Sequence, residues 1–213
     1  MLAALFELDD LGERNDPRYN IAPQTRILTV RGAKAGRMAQ SLLWGAPNPR
    51  GPRPLINARA ETVATSPLFS PAFLRSRVLV PADGFYEWTK EGGRRQAHYF
   101  QQEGGGPFAF AGIAVEPAAS SNLREPAAVI LTTEATESVR AIHHRMPLIV
   151  ARDDFEAWLG NTGPNDPMAV LAAGTRTSWT SRSVGPTVNN VRHDGPDCIR
   201  PEPHTPDRQR NLF

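Results

Sequence analysis

The sequence predicts an α+β fold, a single compact domain around a curved, barrel-like, mostly antiparallel β-sheet with peripheral helices. Three observations predict it. Short apolar runs recur along the chain and are joined by glycine turns at 90–93 and 104–106, the pattern of neighbouring antiparallel strands. Helical spacing is confined to short stretches near residue 5 and around 137–142, 153–159 and 167–173. A length of 213 residues suits one domain with a real core, placed at 1–200. The proline-rich, polar residues 201–213 are expected to be a disordered tail.

Taken in order, Leu2, Leu5, Phe6 and Leu8 predict a short amphipathic helix stopped near Gly12. Asn15-Asp16-Pro17 is a turn, and 18–23 an extended segment pinned by Pro23. Residues 26–30 and 38–44 read as a hairpin turning through 32–36. The loop 46–54 holds four prolines, whose missing N–H bars it from a ladder or a helix. After 55–61 comes a helix-friendly stretch broken at Pro67 and Pro71. Strand pieces follow at 78–80 and 85–88 on either side of Asp83-Gly84, then at 97–101, 108–115 and 127–132. A helix through 137–142 is expected to end because Pro147 pushes its neighbour out of the α region, leaving His143, His144 and Arg145 at that end. The acidic first turn at 153–154 opens a helix with Phe155, Trp158 and Leu159 inward. A further helix at 167–173 and a late strand at 179–184 complete the chain, which has no internal repeat.

Lys+Arg 24 against Asp+Glu 22 leaves a net charge of only +2, so no global field imposes a nucleic-acid partner. Lysine occurs only at Lys34 and Lys90; the remaining cations are arginines, which suit forked contacts to phosphate. The single cysteine, Cys198, excludes an internal disulfide and fits a reducing compartment. Five scattered histidines offer no zinc-ligand spacing, and no metal or cofactor is expected. The start lacks a basic signal region and no apolar run is long enough to span a bilayer, so a cytoplasmic protein without a membrane partner is expected.

Three polar residues sit in apolar surroundings: Asn57 after Leu55-Ile56, Glu87 among Phe85, Tyr86 and Trp88, and His143 after Ile142. A carboxylate flanked by aromatics is a candidate for desolvation, which raises its pKa and suits acid/base work. Strand alternation offers the plainer alternative, with Tyr86 and Trp88 on one face and Glu87 turned to water. Asn57 as a turn residue and His143 as a helix cap are the corresponding plain readings.

Order and wording together are more specific. The blocks Arg18-Tyr19-Asn20-Ile21-Ala22-Pro23, Trp44-Gly45, Leu55-Ile56-Asn57-Ala58-Arg59-Ala60-Glu61-Thr62, Pro81-Ala82-Asp83-Gly84-Phe85-Tyr86-Glu87-Trp88 and Ile142-His143-His144-Arg145-Met146-Pro147 span most of residues 1–195. In that order they closely resemble the signatures of the SOS response-associated peptidase family, the abasic-site processing proteins. The resemblance implies a β-rich fold with a positively charged groove for single-stranded DNA containing an abasic site. It also implies a covalent DNA-protein cross-link, a thiazolidine, formed by an amino-terminal cysteine after self-processing removes the leading Met. It assigns Asn57 to positioning the nucleophile, Glu87 to proton transfers and Met removal, and His143 to protonating the opening sugar. Arg59 and Arg145 match DNA-backbone contacts, and Asn20, Pro23 and Thr132 match positions lining the site. A monomer associated with the nucleoid is expected.

Two departures accompany the resemblance. The chain opens Met1-Leu2-Ala3 instead of Met-Cys-Gly-Arg, and Cys198, which has no free α-amino group, is no substitute. A start further upstream or a truncated form is the expected reason, because Asn57, Glu87, His143 and both arginines are present; natural loss is the third. As written, the chain is expected to be inactive in cross-linking. The loop 46–54 carries Arg50 and Arg53 where many members carry base-stacking tryptophan. A non-covalent single-stranded DNA-binding module is the alternative reading, and a thiol peptidase acting on other proteins a third.

Overall fold

The structure, a computed structural model, describes residues 2–11, 16–33, 36–91, 93–117, 124–160, 166–175 and 177–202. Two sheets and short helices make up the fold. The chain runs α1 (Leu2–Phe6), β1 (Arg26–Ala33), β2 (Gly36–Trp44), β3 (Asn57–Arg59), α2 (Ala60–Val63), α3 (Ser70–Arg75) and β4 (Arg77–Ala82). It continues with β5 (Phe85–Glu91), β6 (Arg94–Gln102), β7 (Phe108–Val115), β8 (Ala127–Glu134), α4 (Glu137–Arg140), β9 (Arg145–Pro147) and β10 (Ile149–Val150). It ends with α5 (Phe155–Leu159), α6 (Pro167–Ala173) and β11 (Trp179–Val184).

The larger sheet has the order β10-β7-β4-β1-β2-β8-β3, with β9 on β8. Because β7 also pairs with β8, the strands β1, β2, β8, β7 and β4 close a ring. The remaining sheet is β11-β6-β5. This is the mixed, curved-sheet architecture expected. Most pairings are antiparallel, but β8 runs parallel to both β2 and β3. Parallel neighbours need a long crossover, and here the chain supplies one by building β4 to β7 in between.

Alternation along the strands assigns residues to two cores. From β7, Ala109, Ala111, Ile113 and Val115 join one cluster; Phe108, Phe110 and Ala114 join another. The helices cover the first cluster with Phe6, Phe73, Phe155, Trp158 and Val170. Phe85, Phe100 and Trp179 of the smaller sheet cover the second. With both faces covered, β7 is buried at every residue, which explains its unbroken apolar run. None of the described helices is long and apolar enough to cross a membrane.

Local readings hold in most places. β1 and β2 form the hairpin, with Val30 opposite Ala39. Phe155, Trp158 and Leu159 all face inward, and the Trp158 indole N–H donates to the Val78 carbonyl at 2.9 Å. Four readings are corrected. α1 ends at Glu7, whose φ of 53° breaks the helix well before Gly12; Gly12 and Asn15 lie outside the described residues. Pro71 does not break a helix but sits in the first turn of α3, where its missing N–H is no loss. Pro147 ends no helix: α4 stops at Arg140, a last helical hydrogen bond runs from the His143 N–H to Val139, and Arg145–Pro147 is a strand on β8. Pro201 and Glu202 pair with β11, so the chain stays attached past 200; residues 203–213 lie outside the described residues.

Asp83-Gly84 is the corner where the chain leaves the large sheet for the small one. A Cβ on Gly84 would lie 2.2 Å from the Tyr99 ring, so only glycine lets β5 approach β6 there. Gly45 plays a similar part with φ +119° and a would-be Cβ 2.6 Å from the Gln24 amide. Gln24 bonds back to the carbonyls of Trp44 and Gly45, and the Trp44 indole donates to Ile56. The separate sequence blocks are thus stitched into one wall.

Candidate active site

The C-terminal end of β8 is the platform of the site. β3 lies along one side, setting Asn57, Ala58 and Arg59 beside Ile130, Leu131 and Thr132. β9 lies along the other, with Arg145 opposite Glu134 and Pro147 opposite Thr132. Glu87 reaches in from β5. A hollow of about 290 Å³ results, lined by Asn57, Ala58, Arg59, Glu87, Thr132, His143, Arg145, Met146 and Pro147. Six of the eight residues singled out in the sequence therefore meet in one place.

Glu87 and His143 face each other across the hollow. Glu87 Oε1 lies 3.7 Å from His143 Nδ1, and the carboxyl is only 22 % exposed. Burial raises its pKa above the ordinary 4.5, and the nearby imidazole offsets only part of that. Desolvation was expected from the flanking aromatics, but Tyr86 and Trp88 pack on the opposite face, in the cluster with Tyr99. The burial comes from the segment bearing His143. Tyr86 fixes the strand from behind, its hydroxyl donating to the Tyr19 carbonyl at 2.6 Å.

His143 Nδ1 sits 2.8 Å from the Arg145 carbonyl, with the Glu87 carboxyl 3.7 Å away. The carbonyl is nearer than the Arg145 N–H that approaches the same nitrogen at 3.2 Å. It holds the proton on Nδ1 and leaves Nε2 for exchange with a ligand.

The raised Glu87 pKa predicts a pH-dependent stability difference. Below the unfolded-state value both states hold the proton and nothing is lost. As pH rises through the higher folded-state value, the folded state must ionise a buried carboxyl and stability falls. Glu87→Gln removes that loss, so thermal melts of the variant and the parent should coincide below pH 4.5 and separate, with the variant melting higher, as pH rises above it. A parent as stable as the variant throughout would contradict the assigned burial.

Arg145 does not stand open to a ligand. Its two terminal nitrogens donate to Glu61 at 2.7 and 2.9 Å, one of them also to the Thr132 carbonyl, and its Nε is buried without a partner among the described residues. The forked bond to Arg145 holds the Glu61 carboxyl below its ordinary value. Arg59 differs: it is exposed at the end of β3, on the rim. Asn57 is likewise exposed beside it.

Asn20 and Pro23 line neither this hollow nor its neighbour. The buried Asn20 amide donates to the carbonyls of Val188, Asn190 and His193. Its backbone N–H, with that of Tyr19, donates to Asp194. Burial pulls the Asp194 carboxyl up, and Arg18 with these two N–H groups outweighs that and brings it below its ordinary value. This block clamps the C-terminal segment to the back of β5, while Pro23 is exposed in a turn. Cys198 is fully buried in a 3-10 turn, and burial raises its thiol pKa.

A second hollow of about 410 Å³ adjoins the first across Arg59 and Arg145, lined also by Glu134, Arg140 and His144. Sequence reasoning weighed His144 only as a neighbour of His143 and gave Glu134 and Arg140 no role; the turn that follows α4 brings the three together.

Comparison with known proteins supports one family. The family model described as SOS response associated peptidase (SRAP) matches residues 2–191. The chain is 32% identical over 192 residues to the abasic site processing protein YedK of Escherichia coli, covering 86% of this chain and 84% of that one. It is 28% identical over 209 residues to the abasic site processing protein YoaM of Bacillus subtilis, covering 93% and 92%. Among solved structures, a phage-related protein of Bordetella bronchiseptica superposes with a TM-score of 0.69 at 25% identity, covering 86% of this chain and 88% of that one.

Proposed function

Because the chain belongs to the SOS response-associated peptidase family, we propose that it processes abasic sites in single-stranded DNA by capturing the opened sugar in the hollow between Asn57, Glu87 and His143. The observation that carries this reading is the meeting of a buried carboxyl of raised pKa with an imidazole, beside an amide and a cationic rim. Such a pair suits aldehyde chemistry. His143 Nε2 takes the proton of the anomeric hydroxyl and passes it to the ring oxygen as the abasic sugar opens to the aldehyde. An unprotonated α-amine then adds to the aldehyde carbon to give a carbinolamine. Glu87 protonates its hydroxyl, which leaves as water, and the resulting carboxylate takes the nitrogen proton back to leave an imine. A thiol on the same residue closes the ring by adding its sulfur to the imine carbon, and its proton goes to the nitrogen, giving a thiazolidine.

The nucleophile this scheme requires is an amino-terminal cysteine, from a Met-Cys-Gly-Arg opening with the leading Met hydrolysed off under Glu87. Cys198 has neither a free amine nor access. Single-stranded substrate spares the protein the unstacking and unpairing that a duplex would demand, and Arg59 supplies a salt-sensitive grip on phosphate.

The test compares this chain with one extended by Met-Cys-Gly-Arg, each incubated with an abasic single-stranded oligonucleotide and run on a denaturing gel. A heat-stable adduct is expected for the extended chain alone. No adduct from the extended chain would end the covalent reading; equal adduct from both would remove the cysteine from it.

A further inference from the structure

The geometry points to a second anion subsite: the hollow formed by Arg59, Arg140, His144 and Glu134 takes a phosphate of the DNA strand outside the lesion, with Arg140 as its principal cation and Glu134 as a counterweight. The inference rests on the single-strand reading above and extends it beyond the sugar.

The two hollows share Arg59 and Arg145, so a strand whose sugar lies in the smaller one has an adjoining place for the next part of its backbone. Arg145 cannot be the cation there, since both ends of its fork are held by Glu61 and its side chain is only 19 % exposed. Arg140 can. Its side chain is 63 % exposed, makes one hydrogen bond among the described residues, to the Ala135 carbonyl at 3.1 Å, and stands 3.9 Å from Glu134. That separation is an ion pair at the limit of contact and not a hydrogen bond, so donors remain for a ligand. A guanidinium offers a phosphate two parallel donors, which a lone ammonium does not.

His144 adds a ring nitrogen and lies against His143, the two rings tilted with centroids 4.6 Å apart. A phosphate seated on His144 is thereby tied mechanically to the ring that serves the sugar. Glu134 is the telling residue, because its exposed carboxylate repels a phosphate and competes for Arg140. A merely structural Arg140, bonded to Ala135 at the end of α4, would make the charge of Glu134 irrelevant to binding.

Charge variants of opposite expected sign test this with an undamaged single-stranded oligonucleotide, read by fluorescence anisotropy across a salt series. Undamaged strand keeps the measurement independent of abasic-site chemistry. Arg140→Gln should weaken binding about threefold at moderate salt and lower the salt slope by about 0.7. Arg140→Lys should keep the slope, and Glu134→Gln should tighten binding by a similar factor. The tightening is the arm that loss of folding cannot imitate.

The subsite is overturned if Glu134→Gln fails to tighten binding, or if the slope survives Arg140→Gln. Inorganic phosphate is the control for the ligand's source. If it raises the melting temperature of the parent but not of Arg140→Gln while oligonucleotide binding is the same in both, the hollow takes free phosphate and the strand assignment falls. If the extended parent makes no adduct while both charge variants shift binding as expected, the subsite stands and the cross-linking function falls.

Discussion

In the chain extended by Met-Cys-Gly-Arg, Glu87→Gln lowers the rate of adduct formation with an abasic oligonucleotide by about 10²- to 10⁴-fold, the range of positioned acid/base catalysis. Glutamine keeps the shape and burial of the side chain but cannot give up or take a proton. Burial is what favours the protonated form of Glu87. A carboxyl exposed on a strand would be ionised at neutral pH and useless as an acid; burial raises this one, and the imidazole 3.7 Å away does not bring it back down. The loss should appear in the single-turnover rate at saturating oligonucleotide, with half-saturation nearly unchanged, because the phosphate grip lies with the arginines. His143→Gln should slow the same step, and the pair should be less than additive, since the two residues act on one chain of proton transfers. A Glu87→Gln rate within a factor of about two of the parent would take proton transfer away from Glu87.

Trp158→Ala has the largest expected effect on stability, a loss of about 3–5 kcal/mol. Trp158 is fully buried where α5 crosses β4, packed at 6.1 Å against Phe73 with its indole N–H on the Val78 carbonyl. Truncation opens a cavity and leaves that buried carbonyl without its donor. The backbone at the same place is bound by Arg77, whose guanidinium donates to the carbonyls of Phe73, Leu74, Trp158 and Gly160, so the wall is held from outside and cannot readily collapse into the void. Chemical denaturation should show a lower midpoint at nearly constant slope. Trp158→Phe, which retains much of the volume, should lose less. Equal losses for Phe and Ala would mean that the hydrogen bond, and not the packing, is what matters at this position.

What each level of organisation decided can be read from particular residues. The sequence by itself determined the hairpin of β1 and β2, the inward face of α5 through Phe155, Trp158 and Leu159, and the presence of Asn57, Glu87 and His143 in blocks that belong together. These are local matters: side-chain period, turn chemistry and short motifs need only a few neighbouring residues to be expressed. Tertiary structure decided the rest. That β8 lies parallel to β3, that β4 and β5 belong to different sheets, and that Arg145 gives its fork to Glu61, 84 residues away, all depend on which distant segments close upon each other. Periodicity reports which face of a strand is apolar, but not what will cover the other face. Glu87 shows the difference most sharply. Alternation correctly set it opposite Tyr86 and Trp88; only the packing of the His143 segment over that face turned a residue otherwise facing water into a buried acid.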